Sequence, residues 1–139
     1  MAVNTWRADG STTAFETAAN WDTTGLADRV PTAADDVIIP DTSGGNKCVL
    51  DQARNINSFV MATDGEFDAG NALYIKGKNA ADEAVKSQGK LGDVTDFVIE
   101  TASAATIILT KQSGSGSFRD LTINHASADI TLAAVMSLG

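Results

Sequence analysis

A single cysteine in 139 residues excludes an internal disulfide and a thiolate metal cluster. Cys48 sits in the strand-like run Lys47-Cys48-Val49-Leu50, and the only histidine, His125, lies far from it in sequence. The thiol therefore reads as a small buried hydrophobe rather than a nucleophile with a partnering base. Aromatic residues make up only 6% of the chain, so the core must rest on Val, Ile, Leu and Ala. Proline is confined to Pro31 and Pro40, which leaves everything after residue 40 free of that breaker. No stretch approaches the ~18 consecutive apolar residues of a membrane span. The opening twelve residues contain no apolar segment of signal-peptide length, which gives an expectation of cytosolic synthesis without a leader. Basic runs are absent as well. With a formal net charge of −8, the surface repels a phosphate backbone, so neither nucleic acid nor a membrane is an expected partner.

What is present is a series of short β-type segments punctuated by Gly, Asn, Asp and Ser. They fall at 36–39, 48–50, 56–61, 65–68 and 72–76, recurring every 7 to 11 residues or so, and resume at 96–100, 106–110, 118–123 and 128–132. About nine strands are expected, and the fold class is all-β. Short strands with small-residue corners predict a short three-sided β-solenoid, with roughly 20 to 30 residues per rung. The alternative is an antiparallel β-sandwich or jelly roll. The expected inward side chains are Ile38, Val49, Phe67, Ile75, Ile99, Leu109, Ile123 and Leu132. Residues 1–34 are polar and poorly patterned, with isolated Trp6, Phe15 and Trp21, and they read as an extended N-terminal arm or cap on a body at 35–139. A charged stretch at 78–95 breaks the series. It reads as a surface insertion, with a possible short helix at 80–86 and little contribution to folding. Residues 113–117 read as a flexible turn, and the apolar end at 133–139 suggests a surface that another subunit covers, or that the chain is one piece of a longer stack.

The candidate chemistry is sparse. Asp64-Gly65-Glu66-Phe67-Asp68 spaces acidic residues two apart, but the calcium-loop pattern fails at Ala69 and Ile75, so a turn and an outward-facing strand are expected. Asp35 and Asp36 are adjacent, and on a strand they face opposite ways. One of them is expected to accept backbone N–H groups in the turn after Pro31. Asn124-His125 reads as a surface turn, and Gly114-Ser115-Gly116 is too short a signal for phosphate binding. No catalytic, cofactor-binding or metal-ligating set emerges, and the chain is not expected to be an enzyme.

One pattern is more specific. Trp6, Asn20-Trp21, Pro31, Asp35-Asp36-Val37-Ile38-Ile39 and Leu50-Asp51 together resemble the lead-in of β-solenoid modules from phage virion proteins and large bacterial surface proteins. The resemblance covers about residues 5–51. Small size and acidity make the chain most similar to capsid decoration (cement) proteins. That resemblance implies a homotrimer on the capsid exterior, bridging neighbouring copies of the major capsid protein after synthesis in the host cytoplasm. It also implies partner contacts through Trp6, Phe15 and Trp21, with Arg7 and Arg29 as salt-bridge donors. The alternative function is a glycan-binding module of a phage tail or surface adhesin, with Trp6 and Trp21 as a stacking platform.

Overall fold

A computed structural model describes residues 1–10, 12–92, 96–110, 120–124 and 130–132. The 113–117 turn, His125 and the 133–139 end lie outside the described residues. Regular structure among them is β, apart from one 3-10 turn at Ala18–Asn20. Two strands belong to the N-terminal segment: β1 (Val3–Trp6) and β2 (Trp21–Thr23). The body follows with β3 (Asp36–Ile39), β4 (Cys48–Leu50), β5 (Arg54–Ile56), β6 (Ser58–Met61), β7 (Glu66–Ala69), β8 (Ala72–Ile75), β9 (Glu83–Ser87), β10 (Lys90–Leu91), β11 (Asp96–Ile99), β12 (Ala105–Leu109), β13 (Asp120–Ile123) and β14 (Ile130–Leu132).

These strands form three sheets. The first runs β14-β12-β9-β6-β3-β1-β2, the second β10-β7-β4 and the third β13-β11-β8-β5. From β3 to β11 the chain visits first, second and third sheets in strict rotation. Every pairing between named strands is parallel except that of β1 with β2. The prevailing parallel pairing is the opposite of what an antiparallel sandwich or jelly roll requires. One circuit ranges from the step between Arg54 and Leu73 to the longer one between Phe59 and Val85.

Parallel, in-register pairing places like side chains above one another and builds the core as ladders. Cys48 lies beside Phe67 and Leu50 beside Ala69 in the second sheet. Ile56, Ile75 and Ile99 stack in the third, all fully buried. In the first, Val37, Phe59, Val85 and Ile107 form one inward row, and Ile39, Met61, Ser87 and Leu109 the next. Phe59 meets Phe67 at 5.0 Å and Phe97 at 5.4 Å between ring centroids, tying the three sheets together at the axis of the core. Tight corners need residues without a Cβ. At Gly89 one would collide with the carbonyl oxygens of Gly65 and Ala62 in the preceding circuit.

Several expectations are corrected. Ile38 and Val49 face outward and are only half-buried, while Val37, Ile39, Cys48 and Leu50 face in. Strand alternation explains it: half-exposed Asp36 fixes one parity and Lys47 with Asp51 the other, and each apolar neighbour must follow. Ile123 is 44% exposed although it stacks on buried Ile99, because among the described residues no strand covers the far side of β13. The side chain of Leu132 lies outside the described set. Phe67, Ile75, Ile99 and Leu109 do point inward. The described part of the charged stretch at 78–95, residues 78–92, is neither a loose excursion nor a helix. It contains β9, which pairs with both β6 and β12 in the middle of the first sheet, and β10, which pairs with β7. Glu83, Lys86 and Lys90 are half-buried members of those strands. Glu83 and Lys86 pair with each other at 3.1 Å while Ala84, Val85 and Ser87 are buried. Two adjacent buried residues arise because the register with β12 shifts at Thr106/Ile107, a bulge that hides the alternation from a simple pattern search. The 56–61 segment is likewise split at Asn57 between β5 and β6, which belong to different sheets.

Candidate functional site: the N-terminal cap and the first strand edges

Residues 1–34 fold onto the body rather than away from it. β1 runs parallel to β3, and β2 returns antiparallel beside β1, extending the first sheet by two strands. Between them the chain crosses to the second sheet. There Ala14 bridges Val49: Phe15 N–H donates to Val49 C=O at 2.9 Å, and Val49 N–H donates to Thr13 C=O at 2.8 Å. The aromatic spacing that looks unpatterned in sequence follows from this path, since each ring is delivered from a different segment to the same end of the core.

Trp6, Phe15 and Trp21 are 1%, 0% and 0% exposed. Trp21 sits edge-on between the other two, 5.2 Å from Trp6 and 4.7 Å from Phe15, in the T-shaped geometry that aromatic quadrupoles favour. Both indole N–H groups are satisfied inside the chain. Trp6 Nε1 donates to the Asn46 carbonyl at 2.9 Å and Trp21 Nε1 to the Phe15 carbonyl at 2.7 Å. Asn20 fixes the crossing by donating through Nδ2 to the Thr12 and Ala14 carbonyls. Close approach is required here too, because a Cβ on Gly45 would collide with the Ala8 carbonyl oxygen. The three rings are thus the plug of the core. Expected partner contacts through them are corrected: all three are enclosed by their own chain, so neither a capsid surface nor a sugar ring can touch them in this fold.

The two arginines are occupied as well. Arg7 donates to Asp28 at 2.7 Å on the exterior, with Asp22 at 3.9 Å. Arg29 reaches Asp35, whose carboxylate is buried. Asp35 also accepts from Thr32 N–H at 2.9 Å, Thr32 Oγ1 at 2.7 Å and Ala2 N–H at 3.2 Å. Burial alone would push this carboxyl up, but the bonds from Arg29 and Thr32 outweigh it and hold it below the ordinary carboxylate value. Asp36 faces outward and accepts from Asn57 Nδ2 and Ser58 Oγ, so the two neighbouring carboxylates serve separate networks as their alternation predicts. Burial drives the Cys48 thiol well above its usual range, leaving it protonated and unreactive.

Among the described residues every Lys and Arg is ion-paired. Several pairs link adjacent circuits, Lys47 with Asp68, Lys90 with Glu66 and Lys76 with Glu100, and Arg54 with Glu16 ties the cap to the body. No described group of three or more His, Cys, Asp or Glu is placed to hold a metal ion, and no described helix is long and apolar enough to cross a membrane. One open groove of about 270 Å³ lies beside the cap, between residues 30–33 and residues 53–55. Its walls are short side chains, and the one charged group on it, Arg54, is held by Glu16. Sequence reasoning did not find this groove. No family model matches the chain, and no curated protein or solved structure is significantly similar to it.

Proposed function

We propose that this chain is a short three-sided β-solenoid, closed at its N-terminal end, and that it serves as a capsid decoration protein. It would hold neighbouring capsid subunits together by rigid attachment, as a homotrimer on the virion exterior. The observation that carries this reading is the place of the resembling residues. Trp6, Asn20, Trp21 and Asp35 are all buried in one cap over the first circuit, which is the role that the resemblance to virion β-solenoid modules implies for them. A mechanical role also accords with a body whose buried residues are stacked ladders and whose described Lys and Arg residues are all paired with carboxylates of the same chain. In this fold Arg7 is held by Asp28 and the aromatic plug is enclosed, so the plug supports attachment indirectly, by keeping the first circuit closed.

The test is stoichiometric. Particles purified from the source that encodes this chain are quantified by mass spectrometry against the major capsid protein, and the free chain is weighed by native mass spectrometry. Hundreds of copies per particle and a trimeric free mass are expected. A few copies per particle would indicate a tail or adhesin component instead, and complete absence from particles would refute a virion role.

A further inference from the structure

The three sheets do not begin alike. In the first, β3 is covered by β1, and Asp36 N–H donates to Ala2 C=O at 2.9 Å. In the second, both main-chain groups of Val49 in β4 are taken by residues 13 and 15. In the third, β5 is the terminal strand, and among the described residues no strand lies on its outer side. Ile56 C=O accepts from Lys76 N–H, so Ile56 turns its main chain toward β8. Alternation then turns Asn55 N–H and C=O to the outer edge. The next residue with that orientation, Asn57, has its N–H met by Asp35 C=O at 2.8 Å. Asn55 opens onto the groove, which residues 53–55 line on one side.

We propose that the outer edge of β5 is an attachment site for an extended, uncharged polypeptide segment, contributed by a capsid subunit, which adds to the third sheet as a further strand. The chain itself supplies the precedent. At the two equivalent edges an extended segment lies parallel to the first strand and satisfies it. The groove beside Asn55 provides space for a third such segment at the ~4.8 Å spacing of paired strands. Its walls select the occupant. Val30, Pro31, Ala33 and Ala53 offer small apolar contacts, and Arg54 is already neutralised by Glu16, so a charged side chain gains no partner. A second copy would bring the same −8 charge, so an arm from a different protein fits better. Only the capsid as source rests on the proposed function; the strand-accepting edge does not.

The probe is a neutral peptide, acetyl-Thr-Val-Thr-Val-Thr-amide, titrated into the ¹⁵N-labelled full chain. A control peptide carries N-methyl groups at two successive residues, which blocks both of its edges. The expected result is a saturable shift of the Ala53 and Asn55 amides, slower hydrogen exchange at Asn55, and at least tenfold weaker binding of the control. Asn55→Pro removes the edge donor while keeping an edge strand that tolerates proline. It is expected to retain the wild-type melting midpoint, to lose the peptide response and to lose attachment to particles. If Asn55→Pro fails to fold, the two peptides on the wild-type chain still give the answer. Equal shifts from both peptides, or none at Asn55, would overturn the site, as would full decoration of particles by folded Asn55→Pro. Self-association of the wild-type chain that Asn55→Pro abolishes would overturn the occupant in favour of a second copy. Peptide binding at Asn55 with no chain on particles would keep the edge but overturn the capsid source together with the proposed function.

Discussion

Ile38 and Ile39 are adjacent, chemically identical and on the same strand, yet they should differ severalfold in what they contribute to stability. Ile39 is fully buried, in register with Met61, whereas Ile38 lies on the outward face beside Val60. Truncating Ile39 to Ala removes three carbons, about 2.4 kcal/mol at ~0.8 kcal/mol per buried methylene, before any cavity is counted. The rigid ladder around it cannot collapse freely, so the cavity adds to this and the expected total is about 3–4 kcal/mol. At roughly 2.1 cal/mol/K per residue, a chain of 139 residues has an unfolding entropy near 0.3 kcal/mol/K. Ile39→Ala should therefore lower the melting midpoint by about 10–13 °C. Ile38→Ala removes the same atoms from a half-exposed position and should cost no more than about 1 kcal/mol, or ~3 °C. Calorimetry of the two variants beside the wild type tests the parity directly. Equal losses, or a larger loss for Ile38→Ala, would show that the inward row has been assigned to the wrong side of β3.

Other perturbations probe separate parts of the structure. Replacing residues 83–91 with a Gly/Ser linker removes β9 from between β6 and β12, and should abolish the cooperative unfolding transition; circular dichroism that keeps its strand signal would contradict the central place of β9. Cys48 should react with a thiol reagent only as fast as the chain unfolds, so labelling in native buffer within minutes would refute its burial. Asp82 adopts a left-handed backbone (φ 62°) at an exposed turn, so Asp82→Gly should change stability by less than about 0.5 kcal/mol and Asp82→Val should cost about 1–2 kcal/mol. Asp35 is ionised more readily in the fold than in the unfolded chain, so its contribution is present above the ordinary carboxylate value and is lost as pH falls through the lower folded value. Asp35→Asn should cost about 2 kcal/mol at neutral pH, and the gap from wild type should narrow below about pH 4; a gap constant down to pH 2 would mean that the carboxylate charge is not what ties the cap.

The fold is legible where a flanking polar residue is used to fix the parity of a strand. Strands of four residues led by a polar one, such as Asp96-Phe97-Val98-Ile99, declare their existence, and their inward side follows once the polar residue is taken as outward. Three-residue strands flanked by charge declare their existence alone unless the flanks are used. Lys47 and Asp51 fix the parity of Cys48-Val49-Leu50, just as Asp36 fixes that of Val37-Ile38-Ile39. β9 was hidden for two physical reasons: its bulge breaks the alternation, and its outward Glu83 and Lys86 resemble an i,i+3 helical pair. Parallel pairing itself has no local signature, because it is set by contacts about twenty residues away.

The candidate site was legible in proportion to its side chains. Trp6, Phe15 and Trp21 announced an anchored end, since large aromatics in a polar segment must bury themselves somewhere. What sequence could not say was whether the surface that buries them belongs to a partner or to the chain itself, because both bury the same area. The fold resolves this by hydrogen bonding: each indole N–H ends on a carbonyl of its own chain. The β5 edge is the converse case. Its acceptor and donor are main-chain groups of Asn55, present in every residue, and only the neighbour that is missing makes them distinctive. Such an edge appears when the three sheets are compared strand by strand, and the cap supplies that comparison by closing two of them and, among the described residues, leaving the third open.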